Sequence, residues 1–284
     1  MNSLPNDPWK AHSRQWSYIG PPLRPSFEDI AFARSAISEW LRTTRRTAPT
    51  LLIMGVTPEL CTLPTNSGTR FIAVDKSAEM IGSLWHPRPG LRDEAIRANW
   101  LRMPLAASSI DLVLGDGSLS ALEYPSGYTA VFCELRRVLR PGGRCALRCF
   151  MQADSRETPD DVFADLFQGR ISNIHVLKWR LMMALQPDAE TGVVGKDVWS
   201  IMNETWPDLN LLAERFAWPV EQVLSMQVSR YSENRYTFPT RAQYCEFFMA
   251  AGFRVMQVAT PSYELGERCP TFVLERLASE GPRS

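Results

Sequence analysis

The chain has 284 residues, 45% of them hydrophobic, enough for one large α/β domain with an insertion or for two small domains. Lysine plus arginine balance aspartate plus glutamate at 31 each, so the overall charge gives no reason to expect a nucleic-acid partner. No apolar run approaches membrane-spanning length, the six cysteines lack any C-x-x-C pair and the three histidines are scattered, which argues against a membrane span, a disulfide scaffold and a zinc centre and predicts a soluble, cytoplasmic protein with reduced core thiols.

Residues 1–25 combine prolines, arginines and aromatics, among them Trp16, Tyr18 and Arg24, without a helical or alternating period, and predict an ordered flap. Ser26 and Asp29 form a capping-box pair ahead of Ile30, Ala33, Ile37, Trp40 and Leu41, whose spacing predicts a helix to about Arg46. Leu51-Leu52-Ile53-Met54 is a short unbroken apolar run, as in a parallel strand covered on both faces, and it stops at Gly55. Gly55 allows close approach of the backbone to a ligand, and Thr57 can cap a helix that has Pro58 at its first position. The unpaired N–H groups at that helix start suit an anion. A second strand, Phe71-Ile72-Ala73-Val74, ends on Asp75, where a carboxylate can take both hydroxyls of a ribose. The stretch 50–75 therefore reads as a nucleoside site. Of the dinucleotide fingerprint only Gly55 is present, which removes the main support for a nicotinamide reading.

Ser77 opens a helix that runs through Leu84 and Trp85. Residues 95–100 are a third strand, and 110–114 a fourth that runs into Gly115-Asp116-Gly117. A helix over about 127–139 stops at Pro141-Gly142-Gly143, and 144–150 is the fifth strand. Strands and helices alternating across short turns imply a doubly wound, mostly parallel Rossmann-like sheet. From Thr158-Pro159-Asp160-Asp161 apolar residues repeat at three and four as far as Leu185, with more helix over about 198–216 and 221–224. Residues 152–238 are thus a mostly helical insertion, of a size that often covers a site. Thr240 and Gln243 cap another helix ended by Gly252, and 254–259 with 271–276 predict an antiparallel edge pair.

Taken in order, several pieces resemble a class I S-adenosylmethionine-dependent methyltransferase. They are the strand with its Gly55 turn, the strand ending on Asp75, and Asn99-Trp100 before Leu101-Arg102-Met103-Pro104-Leu105. Asp111-Leu112-Val113 with Gly115-Asp116-Gly117 follows, and then Arg137-Val138-Leu139-Arg140-Pro141-Gly142-Gly143, the most specific piece. The resemblance covers roughly residues 48–150 and the C-terminal strands. It implies S-adenosylmethionine as cofactor, with Gly55 beside its methionine part, Asp75 on the ribose hydroxyls and Lys76 over the adenine. It also implies Asn99 and the Trp100 backbone N–H at the adenine edge, and Asp116 and Gly117 beneath the sulfonium. The family's turn reads D/E-x-G-x-G-x-G, whereas this chain has Ile53-Met54-Gly55-Val56-Thr57-Pro58-Glu59. Glu59 is expected to replace the missing carboxylate by facing the cofactor's ammonium. In the flap, Trp16 and Tyr18 suit a cover over the cofactor, and Arg24 a fork for its carboxylate. The expected division is an N-terminal flap and helix over 1–47, a cofactor core over 48–151, a helical cap over 152–238, the rest of the sheet over 239–278 and a tail over 279–284.

Methyl transfer needs an aligned acceptor and excluded water more than it needs acid–base groups. Position favours Asp116, with Arg148 and Phe150 at the end of the fifth strand. On the insertion it favours His175, Trp179 and Arg180, with Tyr231, Arg235 and Tyr236 beyond them. His175 is the expected base if the acceptor holds its proton tightly. No metal is expected. The large insertion and the lack of a basic tract favour a small-molecule acceptor, with no nucleic-acid or membrane partner; the oligomeric state is not set. Two other readings stand beside this one: an enzyme that cleaves or cyclises the cofactor's aminobutyrate arm, releasing methylthioadenosine, and a non-catalytic binding module. The acceptor atom is left open.

Overall fold

The apolar runs pair into one seven-stranded sheet in the computed structural model, which describes residues 16–65 and 67–278. The first part of the flap and the tail lie outside the described residues. In chain order, α1 (Phe27–Thr44) precedes β1 (Thr50–Met54), α2 (Pro58–Cys61), β2 (Arg70–Asp75), α3 (Ala78–Leu84), β3 (Glu94–Arg97), β4 (Ile110–Asp116), α4 (Ser126–Val138) and β5 (Leu139–Arg148). Five helices follow: α5 (Pro159–Phe167), α6 (Ile174–Leu185), α7 (Gly195–Thr205), α8 (Leu209–Phe216) and α9 (Val220–Leu224). Two short strands, β6 (Val193–Val194) and β7 (Arg235–Tyr236), pair with each other, and α10 (Arg241–Ala250), β8 (Phe253–Ala259) and β9 (Thr271–Arg276) complete the chain.

The sheet order is β3-β2-β1-β4-β5-β9-β8, parallel through β5 and antiparallel over the last two strands. Every residue of β1 after Thr50 is buried, as both-face coverage requires. On one face α1 lays Ala33, Ile37 and Trp40 against Ile53, Phe71 and Leu114; on the other, α4 and α10 supply Tyr128, Phe132 and Phe248. Register places Met54 beside Val74 and Gly115, and Asp116 beside Arg148, so Gly55, Asp75, Asp116 and Arg148 gather at one carboxyl edge. That edge is where an open α/β sheet takes its ligand.

Local chemistry explains where the elements depart from sequence expectation. The expected stop at Pro141-Gly142-Gly143 is absorbed into β5, as a register shift against β4 with Gly142 at φ 72°. The apolar repeat from Thr158 to Leu185 is two helices, because Gly169 turns left-handed at φ 70° and Asn173 caps a new start, accepting from the His175 and Val176 N–H groups at 2.9 and 3.0 Å. Asp208 likewise starts α8 afresh. Thr57 makes no capping bond, and α2 is a single turn. The third strand ends at Arg97, with Asn99 in an isolated bridge to Arg102. All six cysteines are free, but Cys133 is exposed rather than in the core.

The helical insertion leaves and rejoins the sheet at one place. The Gln152 N–H donates to the Pro239 carbonyl at 3.1 Å, and Gln152 bridges Thr240. Gln186 closes the same seam by donating to the Phe238 carbonyl at 2.9 Å and accepting its N–H at 2.7 Å. Among the described residues no helix is long and apolar enough to cross a membrane.

At the opposite edge Asp111, 1% exposed, fixes the start of β1. Its carboxylate accepts the Thr50 N–H at 2.8 Å and pairs with Arg46 and Arg140, each at 2.8 Å. Asp111→Ala leaves a buried N–H without an acceptor and is expected to cost about 2 kcal/mol. Urea denaturation checks this as a lower midpoint at unchanged slope.

Candidate functional site

A cavity of about 400 Å³ opens at the carboxyl edge, within the size range of small-ligand pockets. Its floor is built by strand ends. Gly55 sits at φ 101°, a conformation that a side chain strains, and its N–H donates to the Val74 carbonyl at 2.8 Å. The same carbonyl accepts the Trp100 indole N–H at 2.5 Å, which holds that ring beside Gly55. Asp75, buried at the end of β2, accepts the Ser77 N–H at 2.8 Å. Asn99 spends its side-chain oxygen on the Leu101 N–H at 3.0 Å. Gly117, at φ 62°, lies so close to Phe150 that a Cβ there would meet the ring at 2.3 Å.

Asp116 joins this floor to the flap through Arg148. The Arg148 guanidinium is 3% exposed, pairs with Asp116 at 2.5 Å, and donates to the Pro22 carbonyl at 2.9 Å and the Tyr263 hydroxyl at 3.0 Å. Asp29 stands 3.7 Å away. Burial alone would pull this guanidinium's pKa down; Asp116, Tyr263 and Asp29 push it above the ordinary range, so Arg148 stays charged.

The flap and the helical insertion form the roof. Trp16, Ile19 and Leu23 line the cavity from the flap, and Lys178, Trp179 and Tyr236 from the insertion. Arg24 is not in the lining: it forms an ion pair with Glu59, donates to the Trp16 carbonyl at 3.3 Å and lies over the Trp16 ring. His175 also lies outside the lining. Its Nε2 donates to the Tyr18 carbonyl at 3.1 Å, which latches the flap to α6. Burial lowers the His175 pKa to about 4, with the neighbouring Lys178 adding to the effect, so the ring is neutral at pH 7.

Residues 54–147 match the family model described as methyltransferase domain. This stretch contains Gly55, Asp75, Asn99 and the Asp116–Gly117 turn, all in the cavity lining. Over this stretch, about a third of its length, the chain is similar to a methyltransferase domain. The cofactor that this likeness brings with it is S-adenosylmethionine. Similar solved structures include the 1,6-didemethyltoxoflavin-N1-methyltransferase of Burkholderia thailandensis, bound to 1,6-didemethyltoxoflavin and S-adenosylhomocysteine, at 13% identity and TM-score 0.50 over 98% of this chain and 94% of that one. A structure described as Zn-dependent alcohol dehydrogenases from Rhodobacter sphaeroides matches at 12% identity and TM-score 0.54, over 97% and 100%. A methyltransferase of Methanosarcina mazei matches at 15% identity and TM-score 0.49, over 86% and 97%. At these identities the first two speak for the fold alone, and the third adds nothing to that. No curated protein matches the sequence. Among the described residues no group of three His, Cys, Asp or Glu side chains is placed to hold a metal ion.

The lining fits such a cofactor at two points: a left-handed glycine opens the floor, and a buried carboxylate stands at the end of β2. Glu59 Oε2 is a buried acceptor with no partner among the described residues, but it lies outside the lining. Of the residues expected from sequence, Gly55, Asp75, Lys76, Asn99, Trp100, Asp116 and Gly117 line the cavity, together with Phe150, Trp179 and Tyr236. Tyr18, Arg24, Glu59, Arg148 and His175 do not. Arg148 and His175, expected from sequence as catalytic, each hold the flap instead of facing the cavity, through the Pro22 and Tyr18 carbonyls. Arg180 is held by Glu157 and Asp165, Arg235 donates to the Thr191 carbonyl, and Tyr231 is exposed. Sequence reasoning missed Lys178. The signal was there, because Lys178 falls between Ile174 and Leu181 on the apolar repeat of α6.

Because the folded pKa of His175 lies below the ordinary value of 6.5, its stabilising effect is complete above pH 6.5 and is lost as pH falls through that value towards about 4. His175→Gln is expected to remove on the order of 3 kcal/mol of the pH-dependent stability between those limits. Denaturation curves of both proteins at pH 4, 5 and 7 measure the difference.

Proposed function

We propose that this methyltransferase acts on a small-molecule acceptor, with the cofactor lying across the carboxyl ends of β1, β2 and β4. The division of the cavity carries the reading. One half is the polar floor of Gly55, Asp75, Lys76, Asn99 and Trp100; the other is an apolar wall of Leu23, Phe150, Trp179 and Tyr236 under the flap and insertion. In this reading Asp75 takes the ribose hydroxyls, Asn99 and Trp100 meet the adenine edge, and Lys76 covers its face. Gly55 runs beside the methionine part.

The cofactor's sulfonium supplies the methyl group, taken in line by an acceptor atom while S-adenosylhomocysteine leaves. The chain's own work is to hold the two partners aligned and to keep water from the sulfonium. Gly117 and Phe150 set the depth of the floor there, and the aromatic wall supplies the dry surface. No general base is assigned, because His175 is spent on the flap. The acceptor is small in this reading because flap and insertion roof the cavity and no basic tract marks a nucleic-acid path. A fold relative of nearly equal extent holds 1,6-didemethyltoxoflavin with S-adenosylhomocysteine, so this architecture accommodates such an acceptor.

Asp75→Ala is expected to weaken S-adenosylhomocysteine binding at least tenfold, about 1.4 kcal/mol, by removing charge-assisted hydrogen bonds. Calorimetry on both proteins measures it, and unchanged affinity would remove the ribose assignment. Release of S-adenosylhomocysteine rather than methylthioadenosine on turnover separates methyl transfer from cleavage of the aminobutyrate arm.

A further inference from the structure

Helix α6 is buried on all sides from Ile174 to Ala184, so every polar side chain on it needs a partner. His175 has the Tyr18 carbonyl, and Arg180 has Glu157 and Asp165, the latter at 2.6 Å. Lys178, 8% exposed and in the cavity lining, makes no hydrogen bond and no ion pair among the described residues. Burial lowers its pKa to about 8, so it still carries its proton at pH 7. The other charges of the lining do not neutralise it: Asp116 is paired with Arg148, Asp75 and Lys76 belong to the β2 end, and Glu123 is exposed at the rim beside Ser126. The neighbouring His175 is neutral.

Two more unmatched groups share the lining. The indole nitrogens of Trp16 and Trp179 are buried without a partner among the described residues. An indole N–H and an ammonium can only donate. Trp16 packs on the β1 side, but Trp179 and Lys178 both come from α6, so the insertion side of the cavity offers two donors, one of them a buried full charge, along the aromatic wall. An isolated buried ammonium is costly, and a carboxylate in contact with it offsets the cost.

We propose that the acceptor is a small aromatic carboxylate, its ring against Phe150, Trp179 and Tyr236 and its carboxylate held by Lys178. The inference rests on the small-molecule reading given above and narrows it. Lys178 is then the residue that selects an acid over its neutral analogue, because the amide leaves the ammonium unpaired.

The test uses the full chain saturated with S-adenosylhomocysteine and two probe pairs, naphthalene-2-carboxylate against its carboxamide and indole-3-acetate against indole-3-acetamide, followed by ligand-observed NMR titration. In the unaltered protein at least one acid is expected to bind tenfold or more tighter than its amide. In Lys178→Met that preference disappears, while S-adenosylhomocysteine affinity is unchanged and Tm rises by a few degrees as the unpaired charge is removed. Lys178→Gln serves as a second variant should the first not fold, with the same loss of preference. Acids and amides binding alike, no probe binding, or a preference surviving in either variant would overturn the inference. A fall in Tm in both variants would also overturn it, by showing the ammonium to be a structural tie. Failure of S-adenosylhomocysteine to bind the unaltered protein would instead remove the cofactor assignment, a separate outcome.

Discussion

A single buried guanidinium holds the parts around the cavity of this protein together. Arg148, on the last residue of β5, reaches Asp116 on the adjacent strand, the Pro22 carbonyl in the flap and the Tyr263 hydroxyl between β8 and β9, with Asp29 of α1 close by. Taking two charges out of water is expensive, and such a pair adds little net stability unless further hydrogen bonds satisfy it. What it supplies is position. Every partner comes from a different segment of the chain, so the flap can lie over the sheet edge in only one register. Asp116, at the cavity floor, is oriented by the contact that also anchors the roof.

The two halves of the cavity follow from two kinds of secondary structure. Strand ends can offer only a few side chains and bent backbone, which suits a ligand recognised by a carboxylate, a glycine and an indole. A helix buried on all sides offers a broad wall, and α6 supplies it with Trp179 packed edge-on to Phe150 at 5.0 Å between ring centres and to Phe238 at 5.5 Å. The aromatic packing continues from the β5 end into the insertion, so the wall is a continuation of the core. Among the described residues, Lys178 is the charge that interrupts it.

Legibility in the sequence tracked distance along the chain. The strands through β5, the Asp75 and Gly117 positions and the helix starts at Ser26, Thr158 and Thr240 are readable, because each rests on a few adjacent residues with fixed spacing. The helical repeat over 158–185 was read as continuous because apolar spacing carried across the break, although Gly169 and Asn173 were visible in it. Arg24 and Glu59 were each given to the two ends of the cofactor's amino acid, yet they bind each other across thirty-five positions, a pairing that no local pattern announces. Residue type alone makes His175 a candidate base; its neutrality and its flap contact are tertiary facts. Lys178 lies on the apolar repeat of α6, yet a lysine on a helix is ordinarily solvated, so that signal gains weight only from the burial of the helix on every side.

The seam at Gln152, Gln186, Phe238 and Thr240 brings both ends of the helical insertion to neighbouring points on one sheet edge. A segment whose entry and exit coincide can be lengthened, shortened or exchanged without rerouting any strand. The strand-end floor can therefore stay intact while the cap is remodelled as a cassette, and a chimera joined at this seam exchanges the roof of the cavity without disturbing its floor.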